Sequence, residues 1–397
     1  SNLTTLFTCF FLYKYGSDSV RGVFLDLRSK LIGFTVTGGR ARYVSTSEYG
    51  VGGGVCCRNY QNWYNPDPVV SDCIITNNAA YDFGGGYMGV WVRTRFVGNR
   101  SFGSANNTCS GVGGSQGIVT LSDCYINDNN GSATGRTQVM EGYRCYNTTF
   151  GPDGDKCCFS GNMYYTRETW NCVFLGDIRG GFGVKINYQT AAMPCHRCAF
   201  LSTIKIDGHT PEEYVGTWGD ADCLVLDAGV MRIDSDGRLR SGSALIDVGS
   251  NNYHTVSSRA PAGGDVYGGE RIVGPAIDLG AVEFSLKGQS VDRFGFSLVT
   301  AVTGAVSINE DYAISLANDA AMTITLAKPS VDEANYRFSA QVAGAGMLGV
   351  FFDGSATPAY TVTSASGTVA VSYPSSSAAT VRLAFSGGDA TSVATIS

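Results

Sequence analysis

The chain has 397 residues, of which only 16% are charged. Its formal net charge of −6 argues against a nucleic-acid-binding protein, which normally carries a basic surface. A hydrophobic content of 44% excludes a wholly disordered chain, and the 52 glycines, together with many Tyr and Phe residues, predict an all-β protein with many turns.

The first apolar segment runs from Leu3 to Tyr13 and has the length of a signal-peptide core. No basic residue precedes it and no small-residue cleavage site follows it, so a buried strand is favoured. No apolar run in the chain is long enough to predict a transmembrane helix. Because no polar capping element comes before Phe7 and Phe10, this end needs a cover: a second subunit, a removed segment or end-to-end stacking. We therefore expect self-association through the N-terminal end.

An aromatic and polar insert occupies residues 58–67. Tyr60, Trp63, Tyr64 and Asp67 are candidate ligand-binding residues, because aromatic rings beside polar groups suit sugars. A loop packed over the flank of the fold is the alternative interpretation.

A repeat of about 24 residues dominates the first two thirds of the chain. In each copy a Cys or Thr comes two places before a large apolar anchor, and Asn or Asp often follows three places later. Such a period is typical of one coil of a parallel β-helix. Since residues i and i+2 of a strand face the same side, we predict a core ladder made of Cys73, Ile75, Cys124, Ile126, Cys172, Phe174, Cys198 and Phe200. The Asn or Asp is expected at a coil corner, in left-handed geometry.

All 13 cysteines lie at or before Cys223. Their abundance suggests disulfides and secretion, whereas their spacing favours small hydrophobic residues in a stacked core. Disulfide and metal roles remain open alternatives. Cys195 and Cys198 form a C-x-x-C pair beside His196, but zinc needs two further ligands, and we predict no metal site.

Two short acidic segments, at 153–155 and 234–237, resemble fragments of calcium loops. Neither has the full ligand spacing of a calcium site, and turn formation explains both. The sequence therefore predicts no cofactor, with calcium as the weak alternative.

Two motifs carry a resemblance to known families. The segment Leu31–Gly39 resembles the "GFTITGG" coil of bacterial secreted right-handed parallel β-helix proteins, and the repeats are similar to those of chlamydial polymorphic membrane proteins. Residues 243–249, 265–272 and 277–283 resemble the "SPAIDAG … D..G..R … DIGAYE" signature of choice-of-anchor Q proteins, although Gly242-Ser243-Ala244 replaces its proline. The resemblance covers roughly residues 20–285. It implies an exported bacterial protein displayed at the cell surface, and it implies no defined reaction.

The signature contains four charged residues, Asp247, Arg271, Asp278 and Glu283. They could form a catalytic or calcium cluster. We favour a structural cap, at 239–285, over the open C-terminal end of the β-helix, in which Arg271 neutralises carboxylates that bind loop amides.

Residues 290–397 alternate apolar and polar side chains, as in Val381–Phe385, with Gly, Asn, Asp and Pro between the alternating segments. This pattern predicts a small antiparallel β-sandwich. The predicted fold is therefore all-β: a right-handed parallel β-helix over 1–285, followed by the sandwich.

For function we favour a non-catalytic adhesin, stalk or structural component, extracellular or on a bacterial cell surface, with a glycan or surface protein as partner. The alternative is a carbohydrate-active enzyme, a polysaccharide lyase or glycosidase, with a groove along one β-helix face. A glycosidase needs two carboxylates flanking the scissile bond. The position before each ladder residue carries Asp72, Arg93, Asp123, Asn147, Asn171, Arg197 and Asp222, which predicts a mixed polar face in contact with solvent and no acidic pair.

Overall fold

The computed structural model divides into two compact units, Ser1–Phe284 and Ser285–Ser397. It describes residues 4–7, 20–41, 51–57, 68–103, 109–113, 119–131, 137–140, 142–152, 157–160, 168–179, 184–186, 189–191, 195–217, 221–253, 264–273, 275–285, 297–308, 313–326, 335–366, 368–374 and 380–397.

The N-terminal unit is a parallel β-helix with three main sheets. The first sheet consists of Thr4–Phe7, Phe34–Thr37, Ile74–Thr76, Arg95–Val97, Tyr125–Asn127, Thr149–Phe150, Val173–Phe174, Ala199–Leu201 and Leu224–Leu226. The second sheet consists of Val23–Leu25, Val55–Cys57, Gly86–Tyr87, Cys109–Gly113, Thr137–Met140, Cys157–Ser160 and Ile178–Arg179. The third sheet consists of Lys30–Ile32, Val69–Ser71, Gly89–Val92, Val119–Ser122, Gly142–Tyr146, Glu168–Trp170 and Cys195–His196.

Smaller elements complete this unit. A four-stranded parallel sheet at one corner contains Arg40–Ala41, Ala79–Ala80, Arg100–Ser101 and Asn130–Gly131. Val184–Ile186 and Gln189–Ala191 form an antiparallel hairpin. The α-helices are Pro211–Thr217 and Ala228–Met231, and Asn251–Tyr253 is a 3₁₀ turn. Among the described residues, no helix is long and apolar enough to cross a membrane.

The strand register confirms the predicted repeat. The apolar anchors of successive coils pair directly with one another, in the order Val36, Ile75, Phe96, Ile126, Phe150, Phe174, Phe200 and Val225. Phe150, Phe174 and Phe200 stack almost parallel, with ring centroids 4.8 and 5.2 Å apart. Every residue of the predicted ladder is buried, with at most 1% of its surface exposed.

The third sheet adds the largest buried side chain, Trp91, whose Nε1 donates a hydrogen bond to the Met88 carbonyl at 2.7 Å. The neighbouring position on the second sheet is Gly86. A Cβ atom there would lie 2.6 Å from the Trp91 ring, so only glycine leaves room for this indole.

The asparagines of the repeat lie elsewhere than predicted. Asn78, Asn99 and Asn129 are fully buried, and the left-handed residues are those just before them, Asn77, Gly98 and Asp128. Asn78 Nδ2 donates to Asn99 Oδ1 at 3.0 Å, and Asn99 Nδ2 donates to Asn129 Oδ1 at 2.8 Å. The left-handed residue turns the chain, and the amide after it points inward. There it is satisfied by the other amides of the stack and by buried backbone carbonyls, such as that of Ile75 for Asn99 at 2.7 Å.

A short helix closes the C-terminal end of the core. Tyr214, on the helix Pro211–Thr217, is fully buried and packs edge-on against Phe200 at 5.6 Å. The helix begins with a reciprocal capping box: the Thr210 amide donates to Glu213 Oε2, and the Glu213 amide donates to Thr210 Oγ1. We call Pro211–Thr217 the cap helix.

The C-terminal unit contains two antiparallel sheets of five strands, as predicted for a β-sandwich. One contains Ser297–Thr303, Ala321–Leu326, Thr380–Ser386, Met347–Phe352 and Tyr360–Thr363. The other contains Val306–Ile308, Ile314–Ala317, Val393–Ile396, Asn335–Ala343 and Val369–Pro374, and Ser364–Ser366 is a 3₁₀ turn. In Thr380–Ser386 the buried residues alternate with more exposed ones, because one face of the sheet packs on the interior.

Candidate functional site

The predicted signature residues meet in one buried ionic cluster centred on Arg271. Its Nε donates to Asp123 Oδ1 at 2.7 Å and its Nη1 donates to Glu283 Oε2 at 2.8 Å. Its Nη2 donates to the backbone oxygens of Gly280 and Asp278 at 2.6 and 3.3 Å. The Arg271 and Asp123 side chains are each 3% exposed. We call Asp123, Arg271, Asp278 and Glu283 the clasp.

The Ser122 hydroxyl donates to Asp123 Oδ2 at 2.6 Å, and backbone amides bind the carboxylates of Glu283 and Asp278. Glu283 accepts from the Val273 and Asp278 amides at 3.0 and 3.1 Å. Asp278 accepts from the Asp247 amide at 2.7 Å and from the Phe284 amide. Asp247, the fourth predicted cap residue, has a left-handed backbone with φ of 59° and accepts from the Ala276 amide at 3.4 Å. These bonds fix two loops against each other.

Burial raises the pKa values of the three clasp carboxyls. Loss of hydration raises the pKa of Asp278 to about 6 and the pKa of Glu283 to about 7, and the Asp278 charge adds to the effect on Glu283. Desolvation also raises the pKa of Asp123, against the opposing attraction of Arg271. A single guanidinium cannot compensate three buried carboxylates, so the cluster retains protons more readily than exposed acids do.

The predicted location of this cluster at the open end of the β-helix is wrong. The described parts of residues 227–284, which we call the strap, fold back along the outer face of the first sheet. Met231, Leu239, Leu245 and Leu279 pack there with Val173 and Ala199. Further along, Val266, Ala281 and Val282 pack with Tyr125. The cap helix closes the end instead, because its Tyr214 matches the aromatic stack that ends at Phe200.

The strap follows the polar column that precedes the ladder residues. Asp72, Arg93, Asp123, Asn147, Asn171 and Arg197 all have left-handed backbones, with φ between 46° and 54°. The Ser250 amide donates to Asn171 Oδ1 at 2.9 Å, and the Gly280 amide donates to the Asn171 carbonyl at 2.8 Å. Arg93 forms a bidentate pair with Asp72 at 2.6 and 2.9 Å. The prediction that this column faces solvent is therefore wrong: Asp123, Asn147 and Asn171 are buried, and the column binds the strap.

The other sequence candidates do not join this cluster. The insert with Tyr60, Trp63, Tyr64 and Asp67 lies outside the described residues. Cys195 and Cys198 point into the core, whereas His196 stacks on Trp170 at 4.3 Å on the outer face. The aspartates of 234–237 pair with arginines, Asp236 with Arg238 at 3.1 Å and Asp234 with Arg240. Within the described ranges, no group of three or more His, Cys, Asp or Glu residues is arranged to hold a metal ion.

Sequence reasoning missed two structural residues. Asp123 is 148 positions from Arg271, and no local pattern links them. Tyr214 could have been found, since Thr210-Pro211-Glu212-Glu213 is a helix-start signature placed directly after a core coil.

No protein-family model, curated protein or solved structure matches this chain. The clasp must therefore be judged by its own chemistry. Its carboxylates are buried, hydrogen-bonded and paired with Arg271, so they fasten the strap and have no surface to offer a substrate.

Proposed function

We propose that the chain is a non-catalytic β-helix protein, secreted or carried on a bacterial cell surface, that acts as an adhesin, stalk or structural component. The observation that carries the proposal is the burial of the clasp. The strongest candidate for a catalytic or calcium cluster uses its charges to bind the chain to itself. Stacked coils with a ladder core form a rigid support on which loops can be presented.

Two further features support this proposal. The resemblance of residues 243–283 to the choice-of-anchor Q signature implies export and surface display, with no defined reaction. The sandwich unit has the architecture of modules that bind glycans or attach proteins to an envelope. A glycan or a surface protein is the partner that suits this arrangement, and the insert at 58–67 is the proposed contact.

A glycan array on the full chain tests the proposal, followed by reducing-sugar and unsaturated-product assays on every glycan that binds. We expect binding without turnover. Trp63→Ala and Tyr60→Ala should each weaken binding at least tenfold, whereas Val248→Ala, at an exposed apolar residue of the strap, should leave binding unchanged. Turnover of any polysaccharide would support the carbohydrate-active enzyme instead.

We also propose that the N-terminal end of the β-helix binds a second copy of the chain. Phe7 lies on the first strand of the first sheet, and Phe10 lies outside the described residues. The first coil exposes Val20, Phe24 and Ile32, at 58%, 50% and 42% of their surfaces. Among the described residues, Val23–Leu25 and Lys30–Ile32 are the end strands of their sheets. A strand edge beside exposed apolar side chains favours association.

Light scattering as a function of concentration tests this association. Phe24→Asp should shift the full chain toward monomer. Val230→Asp is the matched control, because Val230 is 46% exposed on the strap and lies outside the first coil. A wild-type chain that stays monomeric at all concentrations would overturn the idea.

A further inference from the structure

The ladder contains one uninterrupted run of cysteines, at its C-terminal end. The ladder position is filled in successive coils by Cys73, Thr94, Cys124, Thr148, Cys172, Cys198 and Cys223. Threonine therefore separates the earlier cysteines, and only the last three are vertical neighbours. Neighbouring residues of parallel strands lie about 4.8 Å apart, which is within the range of Cα separations that a disulfide can bridge.

The Cys223 sulfur lies beside Cys198. The Cys198 amide donates to Cys223 Sγ at 3.5 Å, and the Cys198 thiol is within hydrogen-bonding reach of the Cys172, Cys195 and Cys223 thiols. The Cys223 thiol donates to the Cys195 carbonyl at 3.4 Å. Cys198 is fully buried, whereas Cys223 is 6% exposed.

The chain between Cys198 and Cys223 contains the cap helix. A bond between these two sulfurs would close a loop around the helix and tie the last strand of the first sheet, Leu224–Leu226, to the coil beneath it. We propose that Cys198 and Cys223 form a redox-controlled staple, reduced in the structure described here and converted to a disulfide by a low-molecular-weight disulfide, which locks the cap helix over the core.

The Cys198–Cys223 disulfide forms through two thiol–disulfide exchanges. The Cys223 thiolate attacks the small disulfide, forms a mixed disulfide and releases one small thiol. The Cys198 thiolate then attacks the Cys223 sulfur and displaces the second small thiol. The protein loses two protons and two electrons, and the small disulfide gains them. Burial raises the pKa of the Cys198 thiol well above its ordinary value, so its thiolate is scarce until the cap opens.

The test oxidises the native full chain with glutathione disulfide and maps the product by peptide mass spectrometry. We expect a Cys198–Cys223 peptide, the loss of two thiols, and amide exchange across 211–217 that is at least tenfold slower than in the reduced chain. Cys198→Ser and Cys223→Ser should abolish both effects, and Cys124→Ser should keep them, because Cys124 has threonine neighbours in the ladder.

Comparison of oxidised with reduced wild-type protein keeps the test decisive even if a serine variant fails to fold. A chain that keeps all its thiols, a Cys172–Cys198 bond in place of the expected one, or a Cys198–Cys223 bond that leaves exchange in the cap helix unchanged would each overturn the proposal.

Discussion

Burial decides what the ionisable side chains of this protein can do. The same carboxyl groups that would suit catalysis at the surface are here enclosed with one guanidinium, and the thiols of the ladder are enclosed with aromatic rings. Desolvation disfavours the charged form in both settings. Burial therefore predicts how fast the thiols react and how the clasp makes stability depend on pH.

Thiol reagents should react slowly with native Cys73, Cys124, Cys172 and Cys198, and quickly with all four in denaturant. The reagents need thiolate and access, and both are scarce here, because burial raises the pKa of Cys73 to about 11 and that of Cys124 to about 12. Mass spectrometry of pulse-labelled protein measures each site. Rapid native labelling of all four would contradict the ladder register.

The clasp should make folding stability fall as the pH rises from about 4 to about 8. Asp278 and Glu283 have folded pKa values, about 6 and about 7, above their ordinary values of 3.8 and 4.5, so the folded state binds more protons. Their contribution is complete below the unfolded pKa values and is lost as the pH passes the folded ones. Each folded pKa lies a little over two units above its ordinary value, and one pKa unit is worth about 1.4 kcal/mol, so the loss is on the order of 3 kcal/mol for each carboxyl.

Denaturant unfolding at pH 5 and pH 8 measures this slope. The charged groups next to these two carboxyls are Arg271, Asp247 and Asp265. They remain in place in Glu283→Gln, which should flatten the slope. Glu270→Gln, at an exposed acid of the same strap, should leave it unchanged. An equal slope in Glu283→Gln and wild type would assign the pH dependence to other groups.

Individual elements are held by stacks that continue from coil to coil. In the asparagine stack and in the aromatic stack, each side chain contacts the equivalent side chain in the coil below and in the coil above. A substitution in either stack therefore affects its neighbours as well as its own site. Substitutions in the asparagine stack and in the cap helix should therefore lower stability.

Asn99→Ala should lower the free energy of unfolding by about 2 to 4 kcal/mol, because each buried polar group left without a partner costs about 1 to 3 kcal/mol. Asn99 accepts from the Asn78 amide and donates to the Ile75 carbonyl at 2.7 Å, so several groups lose a bond at once. Denaturant unfolding gives the value. Asn252→Ala, at an exposed asparagine outside the stack, should cost under about 1 kcal/mol. Similar costs for the two variants would contradict a structural role for the stack.

Tyr214→Ala should destabilise the N-terminal unit by about 3 to 5 kcal/mol, the usual cost of removing a buried aromatic ring. The change uncovers Phe200, so native labelling of Cys198 should accelerate as well. Tyr214→Phe keeps the ring and should retain slow labelling. If Tyr214→Ala left both stability and labelling unchanged, the end of the core would have to be closed by another element.

The two units of the molecule differ in how they cover their hydrophobic cores. The β-helix unit covers the C-terminal end of its core with the cap helix and one flank with the strap. The sandwich unit closes by packing two sheets face to face. This difference predicts that the chain can be divided without unfolding either part.

Limited proteolysis should cut within about ten residues of Gly288, since segments between compact units are the preferred sites of cleavage. The products should be two stable fragments corresponding to the two units. All 13 cysteines lie before residue 224, so a thiol dye applied after denaturation should label only the larger fragment. First cleavage within a coil, with no stable smaller fragment, would contradict the predicted boundary.

The sequence by itself determined the features that depend on local periodicity. The Cys-x-apolar repeat identified the β-helix and the pairing of Ile75, Phe96 and Ile126, because an alternating pattern repeated once per coil can place its anchors only one above another. The alternation in Val381–Phe385 likewise identified a strand of the sandwich. The two-residue period of a strand and the period of about 24 residues of a coil can both be recognised within a few dozen residues of sequence.

Only the tertiary structure decided where the signature segment lies. Arg271 and Asp123 are 148 positions apart. Several acidic residues could pair with the guanidinium, and no local sequence pattern indicates which of them does. The strap runs along the flank because its apolar residues match the outer side chains of the first sheet, Val173, Ala199 and Tyr125, which look like ordinary strand residues in the sequence. A buried charge needs a partner close to it in the folded structure, and a residue becomes buried only when the chain folds.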